Sequence, residues 1–245
     1  HDFDPSTTST DTRQEITVSS GGTFQIFSFQ WTDPSALVEG SSGANTDFDI
    51  ALVDGSNNIV AQSANDNIDG LPFEFLEYTN NGSSAETLFL VIERAADEGT
   101  DTDRLKYVYS TTDPQGAEVV TQLEEFDTGG PTIFGHPMAE GAIAVAAAPF
   151  FNTARFNTGI DSSAILDFFS SKGGLQIRFD QNGDELSTPE SREKPDVTGT
   201  DGVDNTFFGQ TLPPELDADS DPNFFGTSAA APNIAAVAAL IRQAA

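Results

Sequence analysis

Cysteine is absent from this chain, which removes disulfides, thiolate-bound zinc and a thiol nucleophile together. Export remains open, because many bacterial secreted proteins manage without disulfides. Bases are almost as scarce: 10 lysines and arginines stand against 39 acids, for a net charge of -29. A field of that sign repels phosphate backbones and anionic lipid surfaces, so nucleic acid is excluded as a partner. No apolar run approaches the roughly 20 residues that a membrane-crossing helix needs, and no membrane span is expected.

Hydrophobic residues nevertheless make up 37% of the chain, and 20 residues are phenylalanine. That is enough to bury one large core or two ordinary ones. The acids are not gathered in a tail, since residues 1 to 113 hold 20 acids and 4 bases while residues 114 to 245 hold 19 and 6. Both halves therefore carry acidic surfaces, which suit solubility or a salty medium. The sharper use of such carboxylates is to hold structural calcium, which takes about six to eight oxygen ligands. No residue is assigned as a metal ligand from the sequence, and no cofactor is required. Asp180-Gln181-Asn182-Gly183-Asp184 spaces its oxygens like the start of a calcium loop but lacks the distal glutamate, so a hairpin turn is expected there. Asp47, Asp49 and Asp54 read as solvated strand-edge and turn residues.

From about Gln14 to Tyr109, short apolar runs alternate with period two between clusters of Gly, Asn, Asp and Ser, the pattern of an all-β sandwich. Thr23 to Trp31, Phe48 to Val53, Thr87 to Ile92 and Leu105 to Tyr109 are the clearest strands. Asp54-Gly55-Ser56-Asn57-Asn58 and Asn80-Asn81-Gly82 supply hairpin turns. An acidic connection runs from Ser110 to Pro131, with the boundary near Asp113. Beyond Ile133 the texture turns Ala-rich, as in Ala142 to Ala148, which suits buried strands of an α/β core. Ser228 to Ala245 is apolar on nearly every side and is expected to be a buried helix.

Ser228 stands at the mouth of that helix, where unpaired amides and the positive end of the macrodipole stabilise a developing oxyanion. The local pattern alone also fits an ordinary helix-capping serine. Gly226-Thr227-Ser228 followed by Ala229-Ala230-Ala231-Pro232 closely resembles the serine motif of the subtilase family of serine peptidases. Phe169-Ser170-Ser171-Lys172-Gly173-Gly174 is similar to the family's Phe-Ser-Ser-Arg-Gly loop, and Lys194-Pro195-Asp196-Val197 to its Lys-Pro-Asp segment. Gly135-His136-Pro137 leading into Ala142 to Ala147 resembles the approach to a family strand. Asp201-Gly202-Val203 and Thr206-Phe207-Phe208-Gly209 fit the branch that carries an inserted jelly roll, which the β part also resembles.

The resemblance implies a jelly-roll-like β-sandwich over residues 1–113, followed over 114–245 by the C-terminal part of an α/β subtilisin-like parallel-sheet domain. It implies peptide bond hydrolysis through an acyl-enzyme on Ser228, with Gly226 and Thr227 beside the oxyanion and the Ser228 amide as one donor. The substrate would be a peptide or protein, and the setting secreted or bacterial cell-surface. The family's Asp, His and oxyanion Asn precede the segment this chain resembles. They are expected from an N-terminal segment of the same precursor, which would also cover exposed sheet edges and apolar faces. The start at His1 and the end at Ala245 inside a helical pattern are expected to bound a processed, proteolysed or partly observed product of a longer precursor. Neither histidine fits the base: His136 lies in a Gly-Pro loop, and His1 is terminal and unanchored. Asn233 and Ala236 replace a family His and Gly that are not catalytic. The rival expectation is a non-catalytic, peptidase-derived structural or binding protein that assembles through its β domain.

Overall fold

The structure is a computed structural model that describes residues 3, 8–97, 104–114, 130–156, 164–206 and 209–245. Most of the expected connection (115–129), the Phe207-Phe208 pair and His1-Asp2 lie outside the described residues. The chain divides into two compact units, His1–Gly129 with Ile177–Glu190, and Gly130–Gln176 with Ser191–Ala245.

The first unit is a sandwich of antiparallel sheets. Its strands are β1 (Gln14–Val18), β2 (Thr23–Trp31), β3 (Thr46–Val53), β4 (Ile59–Ser63), β5 (Phe73–Thr79), β6 (Glu86–Asp97) and β7 (Leu105–Thr112). One sheet runs β1-β6-β3-β4 and the other β5-β2-β7. Their inner faces meet over a shared core that includes Ile16, Phe24, Ile26, Phe29, Trp31, Phe48, Ile50, Leu52, Leu76 and Leu90. The strands read from alternation are all present.

Strand β2 shows how the register is adjusted to the side chains. Strict alternation from Phe24 and Ile26 would send Ser28 and Gln30 inward. The pairing with both neighbours shifts between Ile26 and Phe29, and this bulge re-phases the strand so that Phe29 and Trp31 are buried and Gln30 is exposed, while Ser28, within the bulge, stays buried as well. The gain is an aromatic cluster, with Trp31 5.3 Å from Phe48 in a T-shaped pair and 5.6 Å from Phe29.

Several buried carboxylates of the sandwich are satisfied by local turns. Asp33 accepts from Trp31 Nε1 at 3.1 Å and from the Asn45 and Thr46 amides at 3.1 and 2.7 Å. Glu74, fully buried, accepts from Ser63 and from the backbone and side chain of Asn65. Asp47 departs from the expectation of a solvated residue: it is buried and accepts from the Asn67 amide at 3.2 Å. The cause is the return of residues 65–68 across the strand end.

The second unit begins with β8 (Val145–Pro149). The hairpin of β9 (Gln176–Phe179) and β10 (Glu185–Ser191) groups almost entirely with the first unit. The chain then returns through β11 (Val197–Asp201), β12 (Val203–Asp204), β13 (Asn223–Phe224) and α1 (Thr227–Ala244). β8 and β11 pair in parallel, Val197 opposite Val145 through Asp201 opposite Pro149, and α1 packs on both. Ala146, Ala147 and Ala148 are buried, which fits small residues under a close helix.

α1 is not the fully buried helix expected from its composition. Only Ala229 and Ala230 are buried, while Val237, Leu240 and Ile241 are exposed at 50%, 65% and 65%. Two strands underlie the helix and cover one stripe of it. Among the described residues no helix is long and apolar enough to cross a membrane.

Candidate functional site

The start of α1 is set by its neighbours more than by helix propensity. The residue before it, Gly226, has φ 130 and ψ 157, a region almost confined to glycine. Its amide donates to Asp201 Oδ2 at 2.7 Å, which ties the loop to the end of β11 and puts a carboxylate at the positive end of the helix. About two turns further on, Asn233 Nδ2 donates to Thr200 O at 2.8 Å. Helix and strand touch backbone to backbone: a Cβ on Gly199 would stand 2.6 Å from Ala230 O. That closeness requires the glycine.

Ser228 therefore occupies the first turn of α1 with its residue exposed, where its own amide precedes the first helical bonds; the Ala229 and Ala230 amides donate to Gly226 O at 2.9 and 3.2 Å. Gly226 and Thr227 immediately precede it. The arrangement offers a hydroxyl and an amide donor on one rim, the elements an acyl-transfer site needs.

Two of the other motif segments converge on β8 and β11. Lys194, its side chain 3% exposed, donates through Nζ to Ala142 O at 2.6 Å and Asp196 Oδ2 at 2.8 Å. Asp196 also accepts from the Ala144 amide at 2.7 Å, and these bonds hold its carboxyl below the ordinary range, the lysine bond foremost. Ser170 Oγ bonds both the N–H and the C=O of Ala147, at 3.0 and 3.1 Å, so it closes the free edge of β8. Gly173 lies flat against Lys194, where a Cβ would stand 1.7 Å from the carbonyl oxygen. These segments fix the strands on which α1 rests.

Beside them sits a pair of carboxyls that sequence reading missed. Asp201 has no exposed surface. With Oδ2 taken by Gly226, its Oδ1 has no donor, and neither has the buried Oδ2 of Asp167. The two groups face one another, and a single proton shared between them satisfies both oxygens. The Asp167 carboxyl is pushed up to about 7 from 3.8, first by burial and then by the bond and charge of Asp201. Nothing local in the sequence links residues 167 and 201.

Among the described residues no histidine completes a triad. His136 is exposed in the short 3-10 turn His136–Met138, and no described hydrogen bond joins it to Ser228. His1 lies outside the described residues. The turn expected at Asp180 is present between β9 and β10: its carboxylate accepts from the Asn182 and Asp184 amides at 2.8 and 3.0 Å. Asp54 plays the same part between β3 and β4, accepting from Ser56 and Asn58. A second carboxylate group, Asp204 with Asp217 and Asp219, was also missed; the Asp217-Ala218-Asp219-Ser220-Asp221 alternation was its only local signal. No family model matches this chain, and neither a curated protein nor a solved structure matches it significantly.

Proposed function

We propose that this chain is the jelly-roll insert and C-terminal catalytic segment of a secreted or surface-attached bacterial subtilisin-like endopeptidase, with Ser228 as the nucleophile. The observation that carries the reading is the placement of Ser228: exposed, in the first turn of α1, behind a glycine in a glycine-only conformation. Peptide bond hydrolysis would proceed by attack of Ser228 Oγ on the scissile carbonyl, with the Ser228 amide as one oxyanion donor and Gly226 and Thr227 shaping the rim. The base, its orienting carboxylate and the oxyanion Asn come from an N-terminal segment of the same precursor. Support for that partner is the uncovered stripe of Val237, Leu240 and Ile241 on α1 and the two-stranded parallel sheet beneath it.

The absence of a described base beside Ser228 favours the second reading, a peptidase-derived scaffold that binds through its sandwich. Labelling the native preparation with a fluorophosphonate and locating the adduct by peptide mass spectrometry separates the two. Adduct on Ser228, lost in Ser228→Ala, is the expected result. A folded preparation that contains the N-terminal segment and stays unlabelled overturns the peptidase reading.

A further inference from the structure

Asp167 sits in a stretch, residues 164–170, that is neither strand nor helix. The Ile165 amide donates to Asn152 O at 3.2 Å and the Asp167 amide to Ala147 O at 3.0 Å, and Ser170 Oγ closes on Ala147 beside them. Apolar side chains do not hold the stretch down, since Ile165, Leu166 and Phe168 are exposed. The side chain that turns inward is Asp167, whose Oδ2 is buried. A carboxyl, not a hydrophobic contact, is therefore what fastens this segment over the edge of β8.

That carboxyl faces Asp201, and no basic side chain offsets the two. β8 reads Val145-Ala146-Ala147-Ala148-Pro149, without charge. The first turns of α1, Thr227 to Asn233, carry only neutral side chains, and Arg242, the one charged residue of the helix, lies in its last turn. Lys194 is committed to Ala142 O and Asp196, and Lys172 is exposed. On β12 and β13, Asn223 Nδ2 bridges Asp204 and Asp217 at 3.0 and 2.8 Å and also donates to Gly202 O at 3.0 Å, which brings further acid and no base. Among the described residues, what is left to neutralise the pair is a proton.

When that proton leaves, the two sides respond unequally. Asp201 has no exposed surface, stands opposite Pro149 in the ladder and keeps the Gly226 amide at the positive end of α1, which favours its charge. Asp167 reaches water by a movement of its own segment. We propose that the proton held between Asp167 and Asp201 is a latch that fastens residues 164–170 over the edge of β8, and that its loss lets the segment lift while the rest of the unit stays folded. Lifting takes the Asp167 amide from Ala147 O, admits water to Asp201 Oδ1 and opens that edge to an added strand. The latch stands on these contacts and does not rest on the peptidase reading.

The latched Asp167 carboxyl is pushed up to about 7, against 3.8 for the free group, so the latched form binds the extra proton. Opening becomes easier as pH rises from about 4 to about 7 and levels off beyond. Water reaching the carboxyl reduces the full effect to a change of about 10-fold.

Amide hydrogen exchange of the native chain, read by peptide mass spectrometry across that pH range and at low urea concentrations, and scaled to the rates of unstructured peptides, tests the latch. Peptides covering 164–170 are expected to lose protection about 10-fold between about pH 4 and pH 7, through an opening that low urea leaves unchanged, whereas α1 exchanges more slowly and quickens with urea. In Asp167→Asn the segment stays fastened and its protection does not fall with pH. The proposal is overturned if the segment responds to urea as α1 does, if its protection in the parent is independent of pH, or if protection falls equally in Asp167→Asn. Should that variant fail to fold, Asp201→Asn, whose amide donates to the Asp167 carboxylate, takes its place: protection that still falls with rising pH overturns the latch as well.

Discussion

Replacing Asp167 by asparagine should remove one specific component of the pH dependence of stability. In the folded chain the Asp167 carboxyl keeps its proton up to about pH 7, against 3.8 for the unconstrained group, because burial and Asp201 disfavour its charge. Between those values the native state binds more protons than the unfolded state, so stability falls as pH rises. The contribution is fully present below about pH 4 and gone above about pH 7. At about 1.36 kcal/mol per unit the shift sets a ceiling near 4 kcal/mol, and water reaching this half-buried group reduces it to about 1–2 kcal/mol. Asp167→Asn keeps a donor towards Asp201 and cannot ionise.

Parent and variant should therefore unfold alike near pH 4 and diverge as pH rises, the variant being more stable by about 1–2 kcal/mol at about pH 8. The assay is denaturant unfolding across that range, followed by the far-ultraviolet circular dichroism of α1, the one described α-helix, which lies in the same unit as the pair. The self-repulsion of a chain with net charge -29 also weakens the fold as pH rises. It acts on both proteins, so the difference between them isolates the pair. A difference that stays constant with pH, or that shrinks towards alkaline pH, refutes the shared proton.

Two further substitutions probe the rest of the argument. Phe29→Ala opens the aromatic cluster of the sandwich and should cost about 3–5 kcal/mol, read by the denaturant midpoint of the fluorescence of Trp31, the only tryptophan; a loss below about 1 kcal/mol would mean that the re-phased half of β2 is not packed as described. Gly226→Ala places a side chain at φ 130 and should cost about 1–3 kcal/mol in the α1 transition while suppressing labelling of Ser228. Unchanged stability there would show that the helix start tolerates another conformation.

The sandwich was legible because alternation is a local signal, and strands such as Thr23–Trp31 were found to the residue. The phase of β2 was not legible, because a bulge moves Phe29 and Trp31 to the inner face without altering their spacing. The burial of α1 was overread for a related reason: composition reports what a helix could bury, whereas exposure at Leu240 and Ile241 depends on what lies against it. At the candidate site, Ser228 stood out because Gly226 to Pro232 is contiguous. Asp167 and Asp201, and Asp204 with Asp217 and Asn223, are pairings between distant positions. They exist only once β11, β12 and β13 have brought the chain back on itself.

These distant pairings share a target. Asp201 grips the Gly226 amide from β11, Asp167 holds the proton that lets Asp201 stay buried, and Asn223 anchors β13 five residues before Ser228. None of them is hydrogen-bonded to the serine hydroxyl in the described structure. Each acts on the backbone that carries it, so disturbing any of them should move the stability of α1 and the reactivity of Ser228 together. A change confined to the sandwich, such as Phe29→Ala, has no such bond to the serine loop. Parallel loss of helix stability and labelling is thus the signature of a positioning residue, whereas loss of labelling alone belongs to groups that touch the reacting atoms.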